Sequence, residues 1–147
     1  MKTIEQDAAR LAVLFDLGMV DAQEVINWAD NAIISAGKPS YELIELSVSS
    51  PSNISKSLRS LSLGADVWTG ISDALPFILK VLEEKPELAR VVAREFYRLA
   101  VAENYSVPER YSFFVRADDD FDLAEAGVFV FGEVYRRFID NIRRAVT

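Results

Sequence analysis

The sequence predicts an all-α protein, an antiparallel helical bundle or an orthogonal helical array of about six to eight helices in a single domain spanning residues 1–147. Three observations carry that expectation. Apolar residues recur at spacings of three and four along most of the chain. Capping residues stand where those stripes begin and end. The 147 residues, half of them hydrophobic and 27% charged, suit one globular domain. A chain of this length buries roughly 68–70% of the surface its unfolded form exposes, so it folds without a disulfide or a metal.

The first helix is expected over residues 4–17, where Ile4, Ala8, Leu11, Ala12 and Phe15 share a face and Gly18 supplies the left-handed turn. The second starts at Asp21, with Glu24 completing a capping box and Val20 and Val25 forming a hydrophobic staple. Its apolar face is Val25, Trp28, Ala29, Ala32 and Ile33; Gly37 closes it and Pro39 cannot continue it. Ser40 caps a short helix from Tyr41 to about Val48 that buries Leu43, Ile44 and Leu46. In the Ser-rich stretch that follows, Ile54, Leu58 and Leu61 are helix-spaced, Pro51 opens the segment and Gly64 stops it.

Residues 65–84 repeat the pattern through Val67, Trp68, Ile71, Leu75, Ile78, Leu79 and Leu82. Gly70 weakens this helix, and Pro76 predicts a kink or two helices in succession. Trp28 and Trp68 are expected in the core. Pro86 opens the next helix, to about Asn104, with Leu88, Ala89, Val92, Phe96, Leu99 and Ala100 inward. Residues 105–120 read as a connector holding one helical turn over 109–114. The last helix is expected from about Phe121 to Ala145, with Val128, Phe131, Val134, Tyr135, Phe138 and Ile142 inward. Its start is weakened by Gly127 and Gly132, and Val128 to Phe131 has the alternative of a short strand.

Composition excludes several chemistries. The chain has no cysteine and no histidine. Thiolate nucleophiles, disulfides, iron–sulfur ligation, Ser–His–Asp and Cys–His catalysis and Glu-x-x-His di-iron sites are therefore ruled out. No catalytic residue and no cofactor is expected. The net charge of −7 opposes general nucleic-acid binding and docking on anionic membranes, and favours a basic protein partner. Residues 1–73 hold ten acids and five bases, a net of −5, whereas residues 74–147 hold thirteen and eleven, a net of −2. Any basic partner is expected on the first half. The acidic N-terminal residues do not read as a signal peptide and no apolar run approaches a membrane span, so the expected location is cytoplasmic.

Candidate sites are few. Asp118, Asp120 and Asp122 fill the first, third and fifth positions of a calcium loop, but Leu123 stands where the sixth requires Gly and Phe129 where the twelfth requires Glu. Asp118, Asp119 and Asp122 also read D-D-x-x-D. That spacing resembles the magnesium-diphosphate motif of isoprenoid synthases, although the chain is too short for that fold and has no second acidic motif. These three aspartates are the candidate metal ligands. The plainer expectation is that Asp119 or Asp120 caps the last helix while its neighbours complement the positive helix end. Glu83, Glu84 and Glu87 match the E-E-x-x-E of small all-α nucleotide pyrophosphatases, but Pro86 interrupts the helix that the motif needs.

Arg90, Arg94 and Arg98 form a stripe at four-residue spacing that suits a phosphate or a partner, or else pairs with Glu87 and Glu95 on the same helix. Arg136, Arg137, Arg143 and Arg144 read as complements to the negative end of the last helix. Tyr105, Tyr111, Phe113 and Phe114 lie in the connector and either plug the core or line a partner surface. The candidate partner-binding residues are therefore Tyr105, Tyr111, Phe113, Phe114, Arg90, Arg94 and Arg98. The function expected is a non-catalytic protein-binding module, by analogy of size, charge and class with bacterial immunity or antitoxin proteins. The alternatives are a divalent-metal-dependent hydrolase built on the Asp118–Asp122 cluster and a homo-oligomeric structural module.

Overall fold

The computed structural model describes residues 2–147, and the predicted all-α class is what it shows. Among those residues there are eight α-helices, three 3-10 segments and no strand. The α-helices are α1 (Ile4–Asp16), α2 (Ala22–Ser35), α3 (Tyr41–Ser47), α4 (Ile54–Leu61), α5 (Val67–Glu84), α6 (Ala89–Ala102), α7 (Ala117–Glu125) and α8 (Phe131–Val146). The 3-10 segments are Pro51–Asn53, Pro86–Leu88 and Glu109–Val115. The chain divides into two compact units, Met1–Ala74 and Leu75–Thr147.

In the first unit, side-chain caps fix the helix starts. Thr3 and Gln6 form a capping box on α1, Asp21 and Glu24 form the expected one on α2, and Ser40 accepts from the Leu43 amide on α3. Each cap satisfies an amide that the first helical turn leaves without a partner. The core joins Ala8, Leu11 and Ala12 of α1, Val25 and Ala29 of α2, Leu43 and Leu46 of α3, and Ile54, Leu58 and Leu61 of α4. Ile44 does not join it and is exposed, because only one side of the seven-residue α3 meets α2 and α4. Trp28 and Trp68 are half-buried rather than core. Asp16 ties α1 to α4, accepting from Ser55 Oγ at 2.8 Å and pairing with Arg59.

Helix α5 continues as one helix through Pro76, so of the two expectations, a kink or two successive helices, the second does not hold. Proline removes one amide donor. Ile71, Ala74, Leu75, Ile78 and Leu82 are all fully buried along the same helix, and their burial outweighs that single bond.

Three helices end alike. Gly18, Asn104 and Gly127 adopt left-handed φ values of 73°, 53° and 81° just beyond α1, α6 and α7. After α7 the amides of Gly127 and Val128 donate to the carbonyls of Ala124 and Leu123, the two bonds of a Schellman motif. Gly127 is thus a stop signal and not a flaw in a longer helix. The segment from Ala117 to Val146 is two helices rather than one. Gly37 and Gly64 do not take up this left-handed role. Gly127→Ala is expected to cost about 1 kcal/mol from the left-handed backbone. Gly132→Ala, which meets open space and a right-handed φ, is expected to be neutral or stabilising. Urea midpoints of the two variants check this contrast.

The core of the second unit is aromatic. Phe96 stacks on Phe114 with centroids 3.9 Å apart and planes within 7°. Phe121 meets Phe138 edge-on at 5.6 Å. Tyr135 donates its hydroxyl to the Leu82 carbonyl at 2.8 Å. Burial, together with Glu83 nearby, raises the Tyr135 pKa, against a smaller lowering by Arg143. That phenol stays protonated and remains a donor.

Candidate functional site

The aspartate run and the arginine stripe, read from sequence as separate candidates, meet each other. Asp118, Asp122 and Glu125 fall at spacings of four and three on α7, so they line one face, and that face packs on α6. Arg90 reaches across to it. Its guanidinium pairs with Asp122, lies 3.9 Å from Asp118 and 3.8 Å from Glu125, and donates to the Asp118 carbonyl at 3.4 Å. Arg94 lies 3.8 Å from Asp118. Burial opposes the charge on Arg90. The Asp122 hydrogen bond and the attraction of Asp122, Glu125 and Asp118 outweigh it, and the pKa stands above the ordinary arginine value.

The expected Glu87–Arg90 pair is therefore replaced by contacts to α7, while Arg98 does pair with Glu95, at 3.5 Å. Asp119 is exposed and apart from this cluster. Neither Asp119 nor Asp120 caps the last helix. Both sit in the first turn of α7, where their charge complements the helix dipole. Among the described residues no three acidic side chains converge on a point that suits a cation.

The aromatic candidates divide. Tyr111 and Phe114 are 2% and 0% exposed, so neither forms a partner surface. The 3-10 segment folds their rings inward, with Phe114 against Phe96. Phe113 is half-buried, and Tyr105 is 56% exposed. Tyr105 also holds a left-handed φ of 61°. Its hydroxyl lies 3.3 Å from that of Tyr97, and this hydrogen bond, with the nearby aspartates, raises the Tyr97 pKa.

Phe113 leads to a feature that the sequence reading missed. A cavity of about 190 Å³ opens between the 3-10 segment, α7 and α8. Ala117 and Phe121 of α7, and Val134 and Phe138 of α8, are buried residues that form its floor. Phe113 makes one wall, and Arg116, Asp120, Arg137 and Asn141 stand around the mouth. The helical repeat explains the set: 117, 120 and 121 share one face of α7, and 134, 137, 138 and 141 share one face of α8. Arg116 and Arg137 make no ion pair among the described residues. Arg137 lies too near the start of α8 to complement its negative end, the role expected of it; Arg143 and Arg144 occupy the last turn.

Beside the cavity the chain leaves apolar side chains in water. Val128, Phe129, Val130 and Phe131 are 62%, 37%, 63% and 48% exposed. Val128 and Phe131, expected inward, are thus largely exposed, because the α7 stop places Val128 in the interhelix link and Phe131 at the first position of α8. Two contacts join this link to the cavity. Phe131 packs on Phe121 with centroids 5.6 Å apart, and the Arg137 guanidinium lies over the Phe129 ring at 5.8 Å.

Comparison with protein families, with characterised proteins and with solved structures finds no match. No helix among the described residues is long and apolar enough to cross a membrane.

Proposed function

We propose that this chain is a non-catalytic protein-binding module that engages its partner through the surface around the α7–α8 link. The observation that carries the reading is the run of solvent-facing Val128, Phe129, Val130 and Phe131, continuous with an aromatic-floored cavity. Contiguous exposed apolar surface is costly in water and marks places where a partner covers it. Binding surfaces combine such a patch with Arg and aromatic residues at its centre. The net charge of −7, and the −5 of residues 1–73, favour a partner that is basic elsewhere on its surface.

The metal-hydrolase alternative is the weaker one. Arg90 already stands among Asp118, Asp122 and Glu125, and a cation there would have to displace a guanidinium that three carboxylates hold. Affinity purification from a native extract, with wild type beside Phe129→Asp/Val130→Asp, tests the proposal. One protein retained by the wild type and lost by an equally stable variant is the expected result. Equal recovery by both, or a rise in Tm with Mg²⁺, Mn²⁺ or Ca²⁺, would sink it.

A further inference from the structure

The cavity between α7 and α8 is too small for the 300–1,000 Å³ of an ordinary small-molecule or cofactor site. At about 190 Å³ it is close to the roughly 150 Å³ of a cavity that holds one benzene ring. One ring-sized group fits it. The walls favour an aromatic ring over an aliphatic one, since Phe113, Phe121 and Phe138 offer faces and edges for stacked and T-shaped contacts.

Charge at the mouth defines what flanks that ring. Arg116 and Arg137 present two guanidinium groups without acidic partners, against the single carboxylate of Asp120. A planar guanidinium binds a carboxylate through two parallel hydrogen bonds, so two unpaired ones select for acids on either side of the ring. Asp120 and Asn141 remain to accept or donate bonds from a peptide backbone. The exposed stretch from Val128 to Phe131, which runs from the link into the start of α8, adjoins the cavity through Phe131 and Phe129 and extends the apolar contact beyond one residue.

We infer that the cavity receives one aromatic side chain of an acidic segment of a protein partner, with Arg116 and Arg137 binding the carboxylates that flank it. This rests on the binding-module reading and specifies the segment that docks. It places a local acidic segment at α7–α8, on a partner that is basic elsewhere.

Fluorescence anisotropy on the full chain tests it, using a labelled twelve-residue peptide of Asp and Glu with one central Trp. Saturable binding is expected, weakened at least roughly tenfold, or about 1.4 kcal/mol, by changing the Trp to Ala, by exchanging the acids for Lys, or by Arg116→Glu/Arg137→Glu. Raised salt should also weaken it. Chemical-shift changes in the bound chain should centre on Phe113, Ala117, Val134 and Asn141. Binding indifferent to the charge exchange overturns the inference. So does tighter binding of a single-stranded RNA oligomer at the same residues, or a concentration-dependent dimer that covers the cavity. The two levels of the proposal separate cleanly. A native partner lost by Phe129→Asp/Val130→Asp but kept by Arg116→Glu/Arg137→Glu leaves the binding module standing and removes the acidic segment. If neither variant changes what is retained, both fall.

Discussion

Replacing Phe96 by alanine is expected to lower stability by about 3–5 kcal/mol, the range for deleting a buried aromatic ring. Phe96 is fully buried on α6 and touches three other rings at once. It stacks on Phe114 at 3.9 Å, meets Phe113 edge-on at 6.3 Å, and lies tilted to Phe138 at 5.9 Å. The ring therefore pins α6 to the 3-10 segment and to α8, and removing it opens a void in the aromatic core. Alanine is a better helix former than phenylalanine by about 0.5 kcal/mol, which offsets only a small part of the loss. Small domains hold a net stability of about 5–15 kcal/mol, so the variant is expected at the edge of folding. Phe96→Leu keeps most of the volume and should cost about 1.5 kcal/mol or less.

Urea unfolding followed by circular dichroism checks the series. A cost for Phe96→Ala below about 1 kcal/mol would mean that the ring stack is not packed as described. Phe113 and Phe138 also line the cavity, so Phe96→Leu should loosen the docking of an aromatic ring without abolishing the fold.

What could be read from the sequence follows from the range over which each interaction acts. The capping box of Asp21 and Glu24 and the Ser40 cap are local, spanning three residues, and both stand as predicted. Helix α7 was invisible for a local reason of the opposite kind. Asp is a poor helix former, and Gly127 within an apolar stripe reads as weakness unless its φ is known to be left-handed. Recognising Gly127 as a C-cap would have separated α7 from α8, turned Val128 to Phe131 outward and placed 117, 120 and 121 on one face.

The fate of Arg90 was beyond reach. Glu87 lies three residues away and Asp122 thirty-two, and the nearer acid wins any argument that lacks the fold. The cavity is worse placed still, because three separate elements build it and no one of them carries a motif. Arg137 stands nine residues before the end of α8, beyond the single turn over which the helix dipole acts, so only Arg143 and Arg144 fill that role.

Gly70→Ala is expected to destabilise the first unit by about 1–3 kcal/mol, the cost of forcing a group into filled space. Helix propensity predicts the reverse sign. An alanine inside a helix is better than glycine by up to about 1 kcal/mol, so a Gly70 merely lying in the first turn of α5 should be improved by the change. The structure decides between the two. A Cβ built on Gly70 would lie 2.9 Å from both the carbonyl carbon and the Cβ of Ala9 and 3.0 Å from its carbonyl oxygen. Two of those three atoms are backbone of α1, which cannot move aside without shifting Ala8 and Leu11 in the core. Ala9→Gly removes only the third, so pairing it with Gly70→Ala should recover a minor share of the loss. Full recovery in that double-mutant cycle would mean that the clash lies with the Ala9 methyl group alone. A Gly70→Ala variant more stable than wild type would mean that α1 and α5 do not approach this closely in solution, and that the glycine is there only at a cost to the helix.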